Sequence, residues 1–116
     1  MDMAAQLSQL RRDIPGCHVA AFVDLDARMV LALNARSKAP QERLDGLADR
    51  ARRLLNIPGQ QDLNRAVAIS SANLEVFLRG AAGSEDGLAL VCGLETELEA
   101  ALDEGFRLLR GVACDA

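Results

Sequence analysis

His18 is the single histidine of the chain and follows directly on Cys17, so a thiol–imidazole pair is the first chemistry to consider. Both residues open an apolar run, Cys17–Asp24, that reads as a β-strand, and neighbours along a strand point to opposite faces. That geometry keeps the imidazole from the Cys17 thiol, and no serine beside it suggests another nucleophile. Cys17, Cys92 and Cys114 share no C-x-x-C spacing, and no close group of His, Cys, Asp and Glu offers ligands to a metal. The glycine-rich loop 80–87 has the look of a phosphate cradle. It lacks the Gly-Lys-Ser/Thr ending that such loops use, and Glu85 and Asp86 would repel phosphate. A hydrolytic or redox enzyme would therefore have to rest on His18 or a cysteine alone. No catalytic residue, cofactor or metal is expected.

The remaining reactive surface is charge. Of the thirteen basic residues only Lys38 is a lysine, and arginine suits planar, bidentate recognition of carboxylates, although a bias in base composition gives the same count. The net charge of −4 argues against a phosphate-backbone partner. With three Phe and no Trp or Tyr there are no stacking platforms for single strands, so nucleic acid is not an expected partner. Half of the 116 residues are hydrophobic, enough for one domain spanning 1–116 with a core of Leu, Val, Ile and Ala. No window approaches eighteen apolar residues and the start has no basic, signal-like segment, so a cytoplasmic protein without membrane insertion is expected. The odd, scattered cysteines fit a reducing compartment.

Elements follow from periodicity. Met3, Leu7, Leu10 and Ile14 mark an amphipathic first helix that stops at Pro15-Gly16. The runs at Cys17–Asp24 and 29–33 are strands joined by a turn at Leu25-Asp26-Ala27-Arg28. Pro40 suits the first position of a second helix, whose stripe of Leu44, Leu47, Ala51 and Leu55 is core, with Ala48 and Leu54 at its margins. Gly46, Arg50 and Arg53 fall on the opposite, solvated side. Residues 60–64 form a loop, Val67 and Ile69 carry a short strand at 66–70, and Ser71-Ala72-Asn73 turns the chain. Alternating Leu74, Val76, Leu78 and Leu88, Leu90, Cys92 give two more strands, Leu74–Arg79 and 88–93, linked by the solvated loop. A last helix places Leu94, Leu98, Ala101, Leu102, Phe106 and Leu109 on one stripe, with Glu95, Glu97 and Glu99 in its first turns. The order αββαβββα and the near-continuous apolar strands predict an α/β (α+β) sandwich: a five-stranded antiparallel sheet with one helix on one face and two on the other.

This order, the Ile14-Pro15-Gly16 helix end, the strand from Val19 to Asp24 entering an acidic turn, the helix around Leu44 to Leu55 and the closing helix from Leu98 to Leu109 resemble the roadblock family, related to dynein light chains and bacterial GTPase-regulating proteins. The family's first turn commonly carries Asp-Gly; Asp26-Ala27-Arg28 stands there instead, so the turn must differ. The resemblance implies a non-enzymatic regulatory or scaffold protein, homodimeric through its third strand and second helix, with a small Ras-like GTPase bound on the composite surface. Mapped onto this sequence, the edge strand is 66–70 and the helix Gln41–Leu55, so Gly46, Arg50, Arg53, Leu54, Val67 and Ile69 become interface residues, with close helix approach at Gly46. An uncovered edge rich in Val and Ile independently calls for a mate. The alternative is a profilin-like sensory module enclosing a small-molecule pocket.

Overall fold

The structure, a computed structural model, describes residues 2–59, 63–80 and 84–115. Its elements are α1 (Met3–Asp13), β1 (Cys17–Asp24), β2 (Met29–Ala35), α2 (Gln41–Leu55), β3 (Arg65–Ile69), β4 (Leu74–Arg79), β5 (Asp86–Cys92) and α3 (Leu98–Asp115). The five strands form one antiparallel sheet in the order β2-β1-β5-β4-β3, so β5 runs down the middle and β3 lies at an edge. The expected αββαβββα sandwich is what the chain adopts.

Strand alternation divides the core in two. Ala20, Phe22, Val76, Leu78, Leu88, Leu90 and Cys92 face α1 and α3, where Leu7, Leu10, Ala101, Leu108 and Leu109 cover them. Ala21, Val23, Phe77, Ala89 and Val91 face α2, which contributes Leu47, Ala48, Ala51 and Leu55. Ala48, expected at the margin of the stripe, is fully buried. Gly105 lets α3 come close to the sheet, because a Cβ there would collide with the buried Leu78 side chain.

The differences from expectation have local causes. The last helix begins at Leu98, not Leu94, because residues 93–96 form a turn: the Thr96 N–H donates to the Gly93 carbonyl (3.1 Å) and its hydroxyl to the Pro15 carbonyl (3.2 Å). Leu94 is consequently 50% exposed and Leu98 36%, and Glu95 and Glu97 precede the helix. Pro40 caps α2 from just outside, its carbonyl accepting from the Leu44 N–H, and is not the first helical residue. In the β1–β2 turn the left-handed conformation expected of a glycine is taken by Arg28 (φ 56°), while the Asp24 carboxylate accepts from the Asp26 and Ala27 N–H groups. The loops expected over 60–64 and 80–87 fall in part on 60–62 and 81–83, outside the described residues.

Candidate protein–protein interface

Among the described residues β3 has one neighbour, β4. At its two ends the Arg79 N–H donates to the Asn64 carbonyl and the Ser70 N–H to the Asn73 carbonyl, both at 2.9 Å. Since an antiparallel ladder alternates, Ala66 and Ala68 exchange hydrogen bonds with Phe77 and Glu75, and the N–H and C=O groups of Arg65, Val67 and Ile69 point away from the sheet. This outward row is regular over all five residues of the strand. The opposite edge is different: β2 carries an extra residue, Leu31, where the register slips between Phe22 and Val23. A bulge twists and interrupts an edge, so of the two edges only β3 presents an unbroken ladder to another strand.

The structure does not gather the expected interface residues on one surface. Ala66 and Ala68 pack toward α2, so Val67 and Ile69, pointing the other way, lie on the face of α1 and α3. Those two helices leave β3 largely uncovered there: Val67 is 38% and Ile69 73% exposed, while Arg65 reaches the ring of Phe106 in α3 (4.8 Å to its centre). Gly46, Arg50, Arg53 and Leu54 belong to the α2 face. β3 is the seam between the two groups, and a strand added to it would extend both faces at once.

On α2, Arg50 departs from expectation. It is not on a solvated side but lies over the sheet, bidentate to Glu75 of β4 through Nε (2.8 Å) and Nη2 (2.7 Å). Gly46 is half-buried, and a Cβ there would come within 3.3 Å of the Arg50 guanidinium, so its bareness leaves room for this reach. Leu54 is half-buried against the α2-side core. Arg53 is exposed and bonds Asp49 one turn back (3.1 Å), which also meets Arg28 of the β1–β2 turn (3.7 Å). The sequence reading missed the Arg50–Glu75 pair. Its only signal was that Glu75 shares a strand face with Phe77, the face a helix had to cover. Replacing Glu75 with Ala is expected to lower stability by about 0.5–1 kcal/mol, less in high salt, because Arg50 is partly solvated. Urea unfolding at two ionic strengths measures it.

Beside the N-terminal half of α2 a cavity of about 190 Å³ opens over the sheet. Val19, Leu44, Leu47 and Val91 form its apolar lining, and His18, Lys38 and Arg43 stand among its polar residues. His18 contacts Arg36 (3.4 Å), while its neighbour Cys17 is buried under α1 and α3, so the two side chains are separated by the sheet as the strand reading requires.

An edge-exposed antiparallel sheet in the order β2-β1-β5-β4-β3, between one helix and two, is shared with solved roadblock/LC7 structures, so the fold is of that type. No protein-family model matches the sequence, and no curated protein does. Solved structures do. The chain is similar to a roadblock/LC7 domain from Streptomyces avermitilis (TM-score 0.81, 19% identity, covering 97% of this chain and 96% of that one). It is also similar to an MglB with a tetrameric arrangement (0.72, 20%, 94% and 83%) and to MglC from Myxococcus xanthus (0.63, 14%, 99% and 96%). At these identities the likeness is one of fold.

Proposed function

We propose that this chain is a non-enzymatic regulatory or scaffold protein that works as a homodimer and binds a small Ras-like GTPase in the cytoplasm. The observation that carries this reading is the outward ladder of Arg65, Val67 and Ile69 on a regular edge strand, with two exposed apolar side chains beside it. Pairing β3 with its symmetry mate satisfies the ladder, brings Val67 and Ile69 of both copies together, and sets the α2 helices side by side on the other face. The tetrameric arrangement of the MglB neighbour supports self-association. The GTPase follows from the roadblock resemblance. None of the twelve arginines stands out by motif as a finger, so an effect on hydrolysis comes from positioning the GTPase's own loops.

The test is retention of a small GTPase on the immobilised chain from native extract supplied with GDP or with a non-hydrolysable GTP analogue. Retention of one Ras-sized GTPase in one nucleotide state supports the reading, and no GTPase in either state contradicts it. The cavity beside α2 favours a second reading, a profilin-like module for a small organic anion held by Lys38 and Arg43. A concentration-independent monomer whose melting temperature rises with a small aliphatic carboxylate would select that one.

A further inference from the structure

Cys17 and Cys92 face each other across the β1–β5 ladder. One step outside them the Gly93 N–H donates to the Gly16 carbonyl at 2.9 Å, which makes the cysteines a non-hydrogen-bonded pair. Such pairs bring their Cα atoms to about 4.5 Å with the side chains closest together, and disulfides span Cα separations of about 4.4–6.8 Å. Both side chains point to the same core, under α1 and α3, at 3% and 0% exposure, and the Cys17 thiol donates to the Val19 carbonyl at 3.4 Å. Two thiols on the same face, at facing backbone positions spaced for a bond between them, are not used by the interface described above.

We propose that Cys17 and Cys92 form a redox-active dithiol that takes a hydroperoxide as oxidant and closes to a disulfide joining β1 to β5. Cys17 is the attacking thiol. The neighbouring Cys92 thiol holds it below the usual thiol value, with the charge of Arg11 adding to this against the opposite pull of burial, while the Cys17 sulfur and burial push Cys92 up. The Cys17 thiolate attacks the outer peroxide oxygen; the O–O bond breaks, and the alcohol leaves with the proton that Cys17 gave up. Cys92 then attacks the sulfenic sulfur. The S–O bond breaks, and the hydroxyl departs as water with the Cys92 proton. Two thiols and one hydroperoxide thus give one disulfide, one alcohol and one water, the two electrons passing from sulfur to peroxide. With Cys17 so little exposed, the oxidant reaches it when α1 opens locally.

The experiment uses the full chain carrying Cys114→Ser, so that only this pair remains, treated with hydrogen peroxide. The expected product is lighter by about 2 Da, has no thiol alkylatable after denaturation, yields a linked Cys17–Cys92 peptide and is restored by dithiothreitol. With Cys92→Ser added, the reaction should stop at a sulfenic acid on Cys17 that dimedone traps. Persistence of both alkylatable thiols, or oxygen added to either sulfur without the link, overturns the proposal whether or not the second variant folds.

Discussion

Replacing Phe77 with Ala is expected to cost about 3–5 kcal/mol, a large part of the roughly 5–15 kcal/mol that holds a domain of this size together. The ring is fully buried on the α2 side of β4. Alanines stand around it: Ala89 and Ala66 are its register partners on the adjoining strands β5 and β3, and Ala48 and Ala51 lie on α2, which leaves the space that the ring fills. Alanines cannot grow into the void, and a close-packed layer relaxes only partly around it. The loss is therefore transfer energy plus an unrelieved cavity. Denaturant unfolding should show the midpoint falling steeply with the slope unchanged; a loss under 1 kcal/mol would mean that the ring is not the keystone of this layer.

Val67→Pro is expected to separate association from folding. Proline lacks the N–H, and at Val67 that group points outward, so no bond to β4 is lost; Ala66 is already extended, as the residue before a proline must be. A symmetric strand pair would lose one donor per copy, each leaving a carbonyl of the other copy unmet at about 1–3 kcal/mol. Two such losses, about 2–6 kcal/mol, weaken the dimer by ~30-fold to ~10⁴-fold. Sedimentation should find the variant monomeric at concentrations where the parent is dimeric, with its circular dichroism retained. An unchanged dimer would move the interface away from β3.

What could be read from the sequence follows from how local each feature is. β1, β4 and α2 declare themselves through unbroken apolar runs, period-two alternation and a clear stripe, and the observed bounds of β1 and β4 match. Periodicity starts α3 four residues early because Leu94 fits the helical period by coincidence, while the turn that excludes it is held by Thr96 reaching the Pro15 carbonyl, eighty-one residues away. Arg50 was assigned to solvent for the same reason: its partner lies twenty-five residues on, across a register that periodicity does not encode. The edge position of β3 was foreseen, but not that Val67 and Ile69 face away from α2. Parity along one strand is legible, whereas which parity meets which helix depends on pairing with Phe77 and Val76. At the β1–β2 turn the left-handed position falls to an arginine, which no propensity suggests.

The claim on which the functional account stands is that the free side of β3 is a pairing site. Amide hydrogen exchange, followed residue by residue as protein concentration is raised, addresses it directly. The amides of Ala66 and Ala68 face β4 and should be protected at every concentration; those of Val67 and Ile69 should exchange quickly in dilute solution and become protected in step with dimer formation. Fast exchange at Val67 and Ile69 at all concentrations, beside protected Ala66 and Ala68, would contradict the account.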